Sequence, residues 1–282
     1  MIRQLSAEWC TKMDLPTSGE QKTFDKPLCD LQLQQLQNAA EERDATRLSV
    51  VSGSHRGAEW LNALPLRSCG LHLNNEELRI NVGLRLGCNI ASQHCCNFCA
   101  ASVTRTAEHA LSCRFSKGRL PRHAECNEII SRAFNSAHVP STLEPTGISR
   151  SDSKRPDGMT LVPWFRGQSV VWDFTCVDSL AAASRIGLPS HAATEAEKRK
   201  ILKYNEISRS HIFTPIACCT LGSWGEASQK FLRALGKRLI GTSGDRRAGC
   251  FLRQRLSVAI ARGNATSILA AMQPRCRLNL PY

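Results

Sequence analysis

Cys96, Cys99, His109 and Cys113 follow one another as Cys-x2-Cys-x9-His-x3-Cys. Two thiolates this close can hold a tetrahedral ion across a tight turn, and a His and a Cys one helical turn apart can close its other side. The chemistry this spacing suits is structural zinc, because four protein ligands leave no open coordination position for a substrate. Metal–ligand bonds would also fold a segment too short to build its own core. His94 and Cys95 stand beside the quartet as spare ligands. The competing reading is a chance cluster of buried thiols in a chain with 14 cysteines. The remaining cysteines are mostly scattered, and Cys10, Cys29, Cys69, Cys126, Cys176, Cys250 and Cys276 read as small buried hydrophobes.

A second set of residues could act on a phosphodiester. Arg155-Pro156-Asp157-Gly158 opens one strand-like run, and Val170-Val171-Trp172-Asp173-Phe174-Thr175 forms another. If the two strands pair, Asp157 and Asp173 converge at one sheet edge, and paired carboxylates are hard oxygen ligands suited to Mg²⁺. A metal there would activate a scissile phosphate, and a nearby lysine would stabilise the charge building on it. Lys200 and Lys203, three apart on a predicted helix and followed by Tyr204, are the candidate lysines. Alone, Pro-Asp-Gly is an ordinary turn and KRKILK a solvated basic face. Asp173 resists so plain a reading, because an acid inside VVWDFT is partly buried and needs a partner or a metal.

The elements that must position these residues are legible in the apolar periodicity. Residues 28–51 read as one helix with Leu31, Leu33 and Leu36 on its apolar face. Residues 58–65 read as a short turn of helix ended by Pro65, and 76–87 as a helix with Leu78, Val82 and Leu86 in register and Gly87 as its cap. From residue 120 the order reads α-β-β-β-α-β-α-α. Its helices include one carrying Ile129, Ile130, Ala133 and Phe134, one over 193–208, one with Phe231, Leu232, Leu235 and Leu239 on one face, and a final basic helix. Hydrophobic residues make up 42% and charged residues 22%, a globular balance. The sequence has neither an apolar run long enough to span a membrane nor the apolar core of a signal peptide, so an intracellular protein with reduced thiols and no membrane partner is expected. Lys and Arg outnumber Asp and Glu by 37 to 24, a net charge of +13, which favours a polyanionic partner and disfavours a zinc protein without a nucleic-acid role.

Several short strings then occur in a familiar order: AEWLNALP (58–65), GLRLG (83–87), the knuckle ending in HALSC, Arg122-His123 with Asn127, LEP (143–145), RPDG (155–158), WDFT (172–175), KY (203–204) and RGNA (262–265). In this order, residues 25 to 272 resemble the C-terminal part of non-LTR retrotransposon polyproteins that carry a restriction-like endonuclease. The resemblance implies an α/β fold of the PD-(D/E)XK type, a mixed sheet flanked by helices with the acids at one edge. It implies three parts: a helical segment (1–87) of the kind that follows a polymerase thumb, a zinc knuckle (88–118) and the endonuclease (119–282). Asp157 and Asp173 match the metal-binding acids. Arg122, His123 and Asn127 match a motif on the first helix that faces the site or the DNA, and Glu128 and Glu144 are further candidates for an acid.

One departure is that Thr175 stands where the family usually has a lysine, so Lys203 or Lys200 would supply that charge from the following helix. The sequence contains no Asp-Asp pair and nothing like a polymerase palm, so a fragment of such a protein is expected. The implied activity is Mg²⁺-dependent nicking of target DNA that primes reverse transcription in the nucleus. Arg119, Arg122, Lys198, Arg199 and Lys237 would bind phosphates, and the knuckle would hold DNA or element RNA. The rival reading is a non-catalytic, zinc-dependent nucleic-acid-binding module from a decayed element copy.

Overall fold

The order α-β-β-β-α-β-α-α from residue 120 onward recurs in the computed structural model, which describes residues 21–53, 58–148, 155–180, 190–273 and 278. Cys10 and Cys276 lie outside the described residues.

Ahead of that order come α1 (Gln21–Ala39), α2 (Glu42–Ser52) and α3 (Asn75–Leu86), then the two-residue strands β1 (His94–Cys95) and β2 (Ser102–Val103) and the single turn α4 (His109–Ser112). The stretch expected as one helix over 28–51 is two, because Glu41 is extended (φ −62°, ψ 154°) and starts a new helix that buries Arg47 and Val50. Residues 58–65 contain a 3₁₀ turn, Glu59–Asn62. In α3, Asn74 caps through a reciprocal capping box with Glu77, and Gly87 closes the helix at φ 73°, a left-handed conformation that suits glycine. The buried face of α3 differs from the expected one. Ile80 and Leu84 are buried, while Leu78, Val82 and Leu86 are exposed. The Asn81 side chain fixes this rotation by donating to the Ala261 carbonyl at 2.8 Å.

The main body holds α5 (Arg119–Ser136), β3 (Ser141–Leu143), β4 (Gly158–Thr160), β5 (Val170–Val177), α6 (His191–Lys203), β6 (Ile212–Cys219), α7 (Glu226–Ser243) and α8 (Ala248–Ala271). Its sheet has the order β3-β4-β5-β6. β3, β4 and β5 pair antiparallel, whereas β5 and β6 run parallel from Val170↔Ile212 to Val177↔Cys219. A parallel pair needs a crossover, and α6 supplies it. Helices cover both faces of this mixed sheet.

Strand alternation divides the residues of β5 between two layers. Val170, Trp172 and Phe174 join the core with Ile130 and Phe134 of α5, Phe231, Leu232 and Leu235 of α7, and Leu252 and Leu256 of α8. Val171 faces the other way, onto Tyr204 and Ile207, while Ala217 of β6 meets Ala193 and Ala196 of α6. Asp173 lies one register step from Val171 on that same α6 face. The crossover helix ends at Lys203, earlier than the expected 208, and a 3₁₀ turn (Ile207–Arg209) leads into β6.

The final helix is basic in composition and central in position. Leu256, Val258, Ala259, Ile260, Ala261, Ala265 and Ile268 of α8 are all buried. A helix buried almost all round is a core helix, not a solvated basic face. Small residues let it approach its neighbours: a Cβ on Gly236 of α7 would lie 3.0 Å from the Gly249 Cα of α8. Lower down, Ala265, Ile268 and Ala271 share a second core with Ile80 and Leu84 of α3 and with Val103, Leu111 and Cys113. Among the described residues no helix is long and apolar enough to cross a membrane.

Candidate functional site

The quartet predicted from spacing is assembled. Every ligand atom of Cys96, Cys99, His109 and Cys113 lies within 4.8 Å of the others. The Cys96 and Cys113 Sγ atoms are 4.0 Å apart, those of Cys113 and Cys99 3.8 Å, and Cys99 Sγ lies 3.1 Å from His109 Nε2. A tetrahedral ion with bonds of ~2.3 Å to sulfur holds its thiolates about 3.8 Å apart. The spacing and the S₃N donor set therefore fit zinc.

Local backbone bonds create this convergence. Cys96 N–H donates to Ala101 O and Ala100 N–H returns to Cys96 O, with Ala100 in the left-handed region at φ 57°. Cys113 N–H donates to His109 O across α4. Burial works against the Cys96 thiolate, but the N–H groups of Phe98 and Cys99 together with the Cys99 and Cys113 thiols outweigh it and lower its pKa; burial raises that of Cys113. The spare candidates stand outside the quartet, with Cys95 exposed and His94 Nδ1 bonded to Ser92 O at 2.8 Å.

The acid pair sits where β4 enters the sheet. Asp157 N–H donates to Trp172 O at 3.0 Å, and Asp157 O accepts from Glu144 N–H at 2.9 Å, so the residue is fixed between β3 and β5. Asp157 Oδ2 accepts from Phe174 N–H at 2.6 Å and lies 3.0 Å from His123 Nε2. Asp173 is 3% exposed. Lys200 Nζ reaches both of its oxygens, at 2.6 and 3.0 Å, and Tyr204 Oη lies 3.2 Å from Oδ1. Burial raises the pKa of Asp173, and the Asp157 charge adds to this against the pull of Lys200 and Lys203. Two carboxylates close enough to repel, one of them buried, form a donor set that a divalent cation would relieve. Asp157 and Asp173 are the residues that could hold such a cation.

A chain of side chains ties this edge to the core. The Trp172 ring lies across Gly158, where a Cβ would come within 2.1 Å of it. Trp172 Nε1–H donates to Asn127 Oδ1 at 3.1 Å. The Asn127 amide nitrogen lies 3.2 Å from His123 Nδ1, which fits a ring protonated at Nε2 toward Asp157. The Asp157 hydrogen bond raises the His123 pKa, and burial opposes it.

The other predicted site residues divide clearly. Glu128 and Glu144 line a cleft of about 400 Å³ beside Asp157 and His123, and Glu128 is also paired with Arg132 at 2.8 Å. Arg155 contributes its carbonyl to Tyr204 Oη at 3.0 Å. Lys203 Nζ lies 2.9 Å from Tyr204 Oη, one shell behind the lysine that touches Asp173. Thr175 is on the same strand as Asp173, and Lys200 reaches that acid from α6. Arg119, Lys198, Arg199 and Lys237 are exposed.

Arg122 does not meet the expectation of an exposed phosphate-binding side chain. It is 3% exposed, its Nη1 donates to Asn264 Oδ1 at 2.6 Å, and it lies against Gly263, where a Cβ would come within 2.5 Å of it. Asn264 Nδ2 in turn donates to Thr220 O at 2.7 Å. The RGNA string is thus an internal joint between α5, α8 and the end of β6. Cys29 and Cys69, read as buried, are exposed. They sit in α1 and in a 3₁₀ turn (Arg67–Cys69), neither of which buries them.

Arg114, Phe115 and Lys117, outside the predicted site, line a second cleft of about 450 Å³ that His123 also borders. The signal was the basic–aromatic run RFSKGR directly after the last zinc ligand. Among known proteins, no family model and no curated sequence matches this chain.

Proposed function

We propose that the chain is a metal-dependent DNA endonuclease that nicks target DNA to expose a primer for reverse transcription. The observation that carries this reading is the constellation around Asp173: a buried carboxylate on the α6 face, with Asp157 across the strand pair and Lys200 reaching both of its oxygens. Asp157 and Asp173 would hold Mg²⁺, which supplies Lewis acidity toward a phosphodiester. Phe174 N–H and His123 fix the Asp157 carboxylate, so its orientation is set before substrate arrives. Lys200 carries the positive charge nearest the acids and would stabilise negative charge building on the phosphate. Tyr204 Oη lies within hydrogen-bond reach of both the Asp173 carboxylate and the Arg155 carbonyl, two acceptors that share its one hydroxyl proton. The net charge of +13 suits a polyanionic substrate. The order of strings shared with non-LTR retrotransposon proteins supplies the particular reaction, and zinc in the Cys/Cys/His/Cys quartet supplies the structure around it.

The test is nicking of supercoiled plasmid in Mg²⁺ by the zinc-loaded chain, beside Asp157→Ala and Asp173→Asn. Nicking by the wild type that both variants lose is the expected result. A folded, zinc-loaded wild type that binds plasmid without nicking it would replace this reading with that of a non-catalytic nucleic-acid-binding module.

A further inference from the structure

The cleft beyond His123 has a composition unlike that beside the acids. Its walls include Arg114, Phe115, Lys117 and Arg119 from the segment linking the knuckle to α5, together with Thr175 of β5, and none of its lining residues is acidic. Arg114, Lys117 and Arg119 are exposed, so their charges are available to a ligand. Phe115 is 51% exposed, with the Arg114 guanidinium 4.5 Å from its ring centroid. An aromatic ring left open to solvent beside three cations has no role in either hydrophobic core. Ser116, also in the lining, is only 4% exposed, and its hydroxyl has no hydrogen-bond partner among the described residues. A buried hydroxyl left unbonded is unfavourable unless water or a ligand group completes it. His123 lines both clefts, so the basic one abuts the Asp157 site directly.

We propose that this cleft binds an unpaired stretch of nucleic acid beside the Asp157–Asp173 edge, with Phe115 stacking on a base and Lys117 and Arg119 meeting its phosphates. Stacking requires an exposed base face, which a paired duplex offers only at its ends, and a cationic groove with an open aromatic is the general arrangement for single strands. The placement rests on the nucleic-acid part of the reading above and names the strand state of the substrate. The segment is held rigidly at both ends. Ser116 N–H donates to Cys113 O at 3.0 Å, and a Cβ on Gly118 would come within 2.4 Å of Ser267 Oγ, so the run is pinned between the knuckle and α8.

The test measures fluorescence anisotropy of a short fluorescein-labelled DNA strand, and of the same strand in a duplex, with the zinc-loaded chain in Ca²⁺. Phe115→Ala is expected to weaken single-strand binding about five-fold or more while duplex binding stays within about two-fold. Phe115→Trp restores it. Lys117→Ala and Arg119→Ala each reduce the salt slope for the single strand by about 0.7. The Phe115 change leaves the Ser116 N–H bond to Cys113 in place, and zinc content measured in parallel checks that the quartet is intact. Unchanged single-strand affinity in Phe115→Ala overturns the proposal, as does an equal loss for strand and duplex. A wild type that binds single strands through Phe115 but never nicks plasmid removes the nuclease reading and leaves this one standing. A wild type that nicks plasmid while Phe115→Ala binds single strands normally does the reverse.

Discussion

Asp173 lies in the middle of an apolar strand, where an ionised carboxylate without a partner is strongly unfavourable. Lys200 is that partner, and this contact separates two lysines that share a helix face in sequence. Lys200→Ala is expected to slow single-turnover nicking by roughly 100-fold or more, the range seen when one preorganised electrostatic contact is lost. Lys203→Ala, acting through Tyr204, should cost less than about ten-fold. Equal losses in the two variants would sink the assignment. The Lys200 charge reaches Asp173 because the crossover helix packs on the face that carries this acid.

At the scale of elements, α5 and α8 are joined by a buried polar bond. Arg122 crosses to Asn264, Gly263 leaves room for it, and Asn264 also holds the Thr220 carbonyl. Asn264→Ala would leave a buried guanidinium unsatisfied, and should lower unfolding free energy by about 2–3 kcal/mol in urea titration. An unchanged midpoint would mean that Arg122 finds another partner. A second element-level effect sits at the end of β5. Asp178 accepts from Leu180 N–H and Thr220 Oγ1, both at Oδ1, and burial pushes its pKa up to about 6. An acid whose pKa is higher folded than unfolded binds more protons in the native state. Its ionisation therefore removes stability as pH rises from about 4 to about 6, and the loss is complete above that. Asp178→Asn keeps both accepted bonds, so it should raise the melting temperature at pH 7.5, with the difference from wild type closing near pH 4. A gap that widens on acidification would contradict the assignment.

For the whole molecule, the knuckle is part of the second core and not an appendage. Cys96, Val103, Leu111 and Cys113 share that core with Ile80 and Leu84 of α3 and with Ala265 and Ile268 of α8. Stripping zinc with a chelator should thus lower the melting temperature of the entire chain, beyond any local effect on residues 94–113. The binding energy of a structural zinc is folding energy. Verified metal loss with an unchanged melting curve would show that the core alone holds the quartet. The three-part division by sequence follows the chain, but the packing crosses it, because α8 serves both cores.

The sequence by itself determined the Cys/Cys/His/Cys quartet, the element order from residue 120 and the two strands that carry Asp157 and Asp173, whose pairing the fold then supplied. Each of these is a local signal: ligand spacing within one turn, apolar period, turn residues at fixed offsets. The faces on which helices dock were decided only in three dimensions. In α3, Leu78, Val82 and Leu86 have helical spacing as good as that of Ile80 and Leu84, and the Asn81 bond to Ala261 selects the second face. In α8, a basic composition gave no sign of burial, but Gly249, Gly263 and the alanines around them permit close approach on several sides. Tertiary packing likewise chose Lys200 over Lys203 and turned Arg122 inward, because which charge meets which acid depends on how a helix is rotated against a sheet. The cleft at Phe115 followed the same logic: the RFSKGR run was visible in the sequence, but only the fold brings Phe174, Thr175 and Cys176 of β5, much later in the chain, to form its other wall.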